Sequence, residues 1–142
     1  MASANVDLVR SILADWERGD FSSAGWAHPQ IEFVMADGPL PGSWTGLHGM
    51  AQAMRETLNA WEDARVVIDE YRQLDDERVL VLVRRSGRGK SSGLDVERLA
   101  GPQGAILTHV EAGVVTRLAF YWERERAFAD LGLVAQPGSK TR

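Results

Sequence analysis

Two side chains in this 142-residue sequence are of a type and setting to do chemistry together: Asp37, in the stretch ADGPLPGSWTG, and Arg98, in LDVERL. A carboxylate partly buried beneath nearby tryptophans can be tuned to take a proton as a general base. Strand alternation gives Leu94, Val96, Arg98 and Ala100 one face, so Arg98 is a charged group aimed into a largely apolar interior. Such a guanidinium needs a carboxylate, a carbonyl or a ligand, and is suited to hold an anion or a developing oxyanion. Each residue also has a plainer account. Aspartates in proline- and glycine-rich loops bond to backbone groups and shape turns, and a buried arginine is usually satisfied within an internal ion pair, here with Asp37 or Glu32.

The tryptophans Trp16, Trp26, Trp44, Trp61 and Trp122 are many for a chain of this size, and their large apolar area makes them core or pocket lining. Trp44, beside Asp37, is the one least explained by packing periodicity, which makes it a candidate lid over an apolar ligand. With Phe33, Met35 and Met54, and with Ile106, Phe120 and Trp122 on the inward parity of their strands, Trp16 and Trp44 form the candidate ligand-binding set.

Other chemistries are excluded by residue type or spacing. His28, His48 and His109 fall on three separate elements with no carboxylate at metal-ligand spacing, so no metal is expected. The sequence has no cysteine, which removes disulfides, thiolate ligands and a thiol nucleophile. SGRGKSS contains GKS, but Arg84 stands where a phosphate-binding loop needs its first glycine and no helix pattern follows, so it is read as a hairpin turn. Its neighbours Arg84, Arg85, Arg88 and Lys90 are either a surface anion site or a solvated turn. A formal net charge of -4 gives no basic face for nucleic acid. No apolar run is long enough for a membrane span and the N-terminus lacks a signal-peptide pattern, so a cytoplasmic location is expected and no cofactor is implied.

The elements that must position these residues follow from periodicity. Val6, Val9, Leu13 and Trp16 mark a helix from Val6 to Trp16, with Asn5 as its cap; a short helix is expected over Phe21 to Ala27, stopped by Pro29. Ile31 to Met35 reads as a strand, the loop after it as irregular, and Leu47 to Trp61 as a helix with Met50, Met54, Leu58 and Trp61 on one face. ARVVIDEYRQL, RVLVLVRRS and LDVERL read as a meander, and Ala105–Val110 with Val114–Trp122 as a hairpin around Glu111, Ala112 and Gly113. Glu123 to Leu131 closes as a helix. Helices followed by a long antiparallel sheet give an α+β domain over 1–134, with 135–142 as a disordered tail.

Taken together, NVDLVRSILADWERGDF, GPLPGSWTGLHGM, AWEDARVVIDEYRQLDDERVLVLVRRSGRGKSSGLDVE and FYWERERAFADLGL resemble the SnoaL-like, nuclear-transport-factor-two-like family across nearly the whole chain. The resemblance implies a cone-shaped domain, a strongly bent antiparallel sheet wrapped around the N-terminal helices, an apolar pocket at the wide end, a small apolar molecule as partner, and a homodimer through the outer sheet face near Arg117, Ala119 and Tyr121. Relatives include ketosteroid isomerases, limonene epoxide hydrolases, polyketide cyclases and non-catalytic members, so fold alone selects no reaction. Asp37 matches the isomerase base, but Ile12 and Ile106 stand where the oxyanion donors belong. Arg98 matches the hydrolase arginine, but Ala100 and Phe120 replace its two aspartates. A cyclase acid or base among Asp69, Asp95 and Glu97 is not singled out. The family therefore implies either an isomerase, cyclase or lyase with Asp37 as base and Arg98 as oxyanion partner, or a binding or assembly module of the same fold.

Overall fold

Val9, Ile12, Leu13 and Trp16 recur at helical spacing and are all buried, which is why the N-terminal segment forms a helix with one face on the core. The computed structural model describes residues 3–18, 20, 25–37, 41–89 and 103–133. Among these the order is α1 (Ser3–Glu17), β1 (Ala27–Met35), β2 (Gly42–Thr45), α2 (Gly46–Ala60), β3 (Trp61–Gln73), β4 (Arg78–Gly89), β5 (Gln103–Glu111), β6 (Val114–Tyr121) and α3 (Arg124–Leu131). The architecture is α+β, with six strands in the order β2-β1-β6-β5-β4-β3.

Four of the five strand pairings are antiparallel, and β1 lies parallel to β6, so the sheet is mixed. Hairpin turns dictate antiparallel neighbours, whereas β6 meets β1 only after the whole meander, and no turn sets the direction of that pairing. β1 also starts earlier than its apolar pattern indicates. The expected helix over Phe21–Ala27 is overturned at its end, where Gly25 and Trp26 form a turn and Ala27 begins the strand. The ladder to β6 accounts for this, since the Val115 N–H donates to the Trp26 carbonyl at 2.8 Å. Pro29, which has no N–H to give, falls in the register irregularity between Ala27 and Glu32.

Further local expectations change, among them Trp61, which begins β3 instead of ending the helix before it. Asn5 lies inside α1, and its side-chain amide donates to the Asp76 carbonyl at 2.7 Å, tying the helix to the β3–β4 turn. The loop before α2 contains β2, a short edge strand whose backbone pairs with β1, Phe33 opposite Trp44 and Met35 opposite Gly42. The expected turn at Gly87 is strand, because β4 continues to Gly89 opposite Trp61. The strand expected over LDVERL and the tail after Leu133 lie outside the described residues.

The sheet has two differently covered faces. On the inner face, α1 and α2 pack on Ile31, Phe33, Val79, Val81, Ile106 and Leu118. On the outer face, Ala127 and Phe128 of α3 cover Leu80, Leu82, Leu107 and Tyr121. Arg124 fixes α3 to three strands: it donates to Asp69 at 3.0 Å, to the Val83 carbonyl at 2.8 Å and to the Gly104 carbonyl at 3.2 Å. Asp69 sits within a register shift of β3 between Ile68 and Glu70, where an extra residue is re-aimed out of the ladder. At the same place the Glu17 carboxylate accepts the Ile68 N–H at 3.1 Å, so the end of α1 occupies a backbone donor of the sheet's edge strand.

Candidate functional site

Strand register assembles the inner face into rows. Met35, Phe120, Ile106, Val81 and Tyr71 are successive partners from β1 to β3, and Trp44, Phe33, Leu118, Thr108 and Val79 form the row beside them. From the helical layer, Trp16 of α1 and Met50, Ala53 and Met54 of α2 pack on these rows. Seven of the eight ligand-binding candidates, Trp16, Phe33, Met35, Trp44, Met54, Ile106 and Phe120, thus share one apolar cluster. The eighth, Trp122, stands beyond the end of β6 at the junction with α3.

The aromatic members touch in sequence. Trp26 meets Trp16 edge-on with ring centroids 6.1 Å apart, Trp16 stacks on Phe120 at 5.9 Å, Phe120 lies 5.2 Å from Phe33, and Phe33 meets Trp44 edge-on at 6.1 Å. Phe33 and Trp16 are buried, while Trp26, Phe120 and Trp44 are each partly exposed. The result is a chain of five rings with exposed area at both ends. Trp26, one of the tryptophans expected as core or pocket lining, belongs to this chain although it was not in the candidate ligand-binding set, where a helix was expected over its segment. Among the described residues the fully buried polar side chain is Thr108, and its hydroxyl donates to the Val79 carbonyl at 3.0 Å.

Asp37 follows the last inward residue of β1. Its Oδ1 accepts the Trp122 N–H at 2.6 Å and its Oδ2 accepts the Glu123 N–H at 3.3 Å. The carboxylate therefore fixes the β6–α3 junction and lies at the positive end of α3, where a negative charge is favoured. Arg98 is outside the described residues. Of the two ion-pair partners expected for it, Glu32 is on the outer face, paired with Arg117 at 3.2 Å. Arg84, read as part of a basic turn, is paired with Asp69 at 2.9 Å. Asp69 is held below the usual carboxylate range: its burial pushes the other way but is outweighed by hydrogen bonds and charge from Arg124 and Arg84.

His109 has outward parity on β5, half-buried between Arg78 of β4 and Arg117 of β6 in register. Burial, reinforced by Arg117 and Arg78, lowers its pKa. Ala119 and Tyr121, expected on an open outer face, lie instead beneath α3, and the Tyr121 hydroxyl donates to Asp130 at 3.0 Å.

No protein-family model and no curated protein matches the sequence. Solved structures do. An NTF2-like protein of unknown function from Burkholderia pseudomallei K96243 superposes with a TM-score of 0.72 at 19% identity, over 90% of this chain and 97% of that one. TerC, co-crystallised with polyporic acid, gives 0.70 at 20% identity over 91% and 98%. A candidate SnoaL-like polyketide cyclase from Mesorhizobium loti gives 0.65 at 17% identity over 85% and 99%. The chain has the NTF2-like, SnoaL-like fold. At these identities the likeness concerns the fold and leaves the activity to the site. Among the described residues no helix is long and apolar enough to cross a membrane.

Proposed function

We propose that the inner face holds a small, apolar, oxygenated molecule against the chain of rings from Trp26 to Trp44. The observation that carries this reading is the partial exposure of Trp26, Phe120 and Trp44 within an otherwise buried aromatic chain. Aromatic walls with few polar groups are what ligand pockets use for affinity, and the few polar groups fix orientation. TerC, which has the same fold, was crystallised with polyporic acid. Titration of the intact protein with 1-naphthol, followed by tryptophan fluorescence, tests the reading. Saturable quenching that weakens at least ten-fold in Phe120→Ala supports it, and no saturation up to the solubility limit counts against it.

A second reading makes the same site catalytic, of the isomerase, cyclase or lyase kind, with Asp37 as base and Arg98 as oxyanion partner. It is favoured by the way Asp37 is held just past the end of β1: one N–H reaches each carboxylate oxygen, and each oxygen keeps a further lone pair for a proton. Ketosteroid isomerase and limonene epoxide hydrolase chemistry are disfavoured. Ile12, Ile106 and Phe120, which stand where their acid and donor groups belong, are members of the apolar cluster. Turnover lost in both Asp37→Asn and Arg98→Met with naphthol binding unchanged supports catalysis. Turnover insensitive to both variants leaves the binder.

Two copies of the chain would pair through the part of the outer face that α3 leaves open, around Glu32, Arg117, His109 and Arg78, which are partners in one register row.

A further inference from the structure

The side chain of Trp44 is held at its two ends by two different glycines. A Cβ at Gly49, in the first turn of α2, would come within 3.2 Å of the Trp44 Cβ and 3.6 Å of its carbonyl carbon. The root of the side chain is therefore pressed against helix backbone. A Cβ at Gly42, two residues back on the same face of β2, would instead meet the far edge of the indole, at 3.2 Å from Cη2, 3.5 Å from Cζ3 and 3.7 Å from Cζ2. The tip of the ring thus lies across the bare backbone of Gly42, opposite Met35 and beside Phe33.

We infer that Gly42 sets the width of the ligand site by leaving the space in which the Trp44 indole lies. This rests on the small-molecule reading of the inner face. A methyl group at position 42 meets the movable end of a lever whose root is fixed, so the ring tip yields by a few tenths of an ångström and the backbone does not. The methyl projects from the inward face of β2, and the displaced indole lifts off the sheet into the space between β2 and the helical layer. A ligand stacked on the aromatic chain then has less room at the Trp44 end, and the loss grows with its width. Gly42 is exposed and its φ is not positive, so alanine there carries no backbone strain and the fold tolerates it.

The experiment uses the full chain as wild type, Gly42→Ala, Trp44→Phe and the double variant. The phenylalanine ring is too short to lie over residue 42 and keeps the contact region apolar. Two measurements are made: the indole N–H resonance of Trp44 by 15N NMR, and the affinities of 2-naphthol and 1-hydroxypyrene. Gly42→Ala is expected to shift the Trp44 resonance and to weaken 1-hydroxypyrene about ten-fold more than 2-naphthol, the scale of one misplaced methylene in an apolar pocket. In the Trp44→Phe background the same substitution is expected to change neither probe. An unmoved Trp44 resonance, or an equal loss with phenylalanine at 44, overturns the inference. If neither probe binds the wild type, the ligand reading of the inner face falls, while the Trp44 resonance still decides whether Gly42 positions the indole.

Discussion

A carboxylate that accepts two backbone N–H groups holds the chain together whatever else it does, and Asp37 joins the end of β1 to residues 85 and 86 positions later in the sequence. Removing it takes a carboxylate acceptor away from both N–H groups at the β6–α3 junction. Asp37→Ala is expected to lower stability by about 1–3 kcal/mol, and Asp37→Asn, which keeps one acceptor, by less. Urea midpoints check this, and a loss in Asn equal to that in Ala would show that charge outweighs hydrogen bonding. His109 carries a pH dependence of defined sign. Burial, then Arg117 and Arg78, depress its pKa in the folded chain below the ordinary 6.5, so the unfolded chain takes up its proton first. Stability is therefore expected to fall as the pH drops through 6.5 and to level off below the folded value. Asp69, whose folded pKa is also depressed, acts in a lower window. Its contribution is present above 3.8 and lost as the pH falls through its folded value. Melting temperatures between pH 8 and 5 should show the upper step in the wild type and a flatter profile in His109→Gln.

At the scale of elements, what was legible in the sequence is what local patterning controls. The spacing of Val9, Leu13 and Trp16 marks α1, and the alternation around Leu118 and Phe120 correctly assigns them to the inner face. What was not legible depends on non-local pairing. β2 exists because Gly42–Thr45 finds the edge of β1, and nothing in GSWT itself specifies a strand. The same holds for the end of the chain: the pattern of α3 was plain, but that it folds back over Leu80, Leu82 and Leu107 was not. Arg124 and Phe128 are among the contacts that seat it, together with Ala127 and the Tyr121–Asp130 hydrogen bond. Phe128 is 7% exposed, and its replacement by alanine is expected to cost about 3 kcal/mol, at the lower end for a buried phenylalanine. Hydrogen exchange distinguishes undocking from global loss. Faster exchange confined to residues 124–131 means that α3 comes away alone, and uniform acceleration means that it unfolds with the sheet.

At the scale of the molecule, the two faces of the sheet divide the candidate functions. The inner face was readable through strand parity, because Ile31, Phe33 and Met35 of β1, Ile106 of β5, and Leu118 and Phe120 of β6 are apolar residues of one parity on each strand that face the same helices. The outer face was not, because α3 takes the half of it that an apolar dimer contact would use. The open half carries Glu32, Arg117, His109 and Arg78 side by side, with Arg78 also paired to Asp75 at 2.8 Å. Association of two copies there would rest on exposed charges, whose attraction is weak and screened by salt. Sedimentation of the wild type is therefore expected to show weak self-association at low ionic strength that disappears at high salt. Phe128→Asp places a charge under α3 and bares Leu80, Leu82 and Leu107, whose burial is hydrophobic and is strengthened by salts such as sulfate. Its association is expected to increase with sulfate, opposite in sign to the wild type. A wild-type dimer that resists high salt would place the contact on a surface other than this charged row.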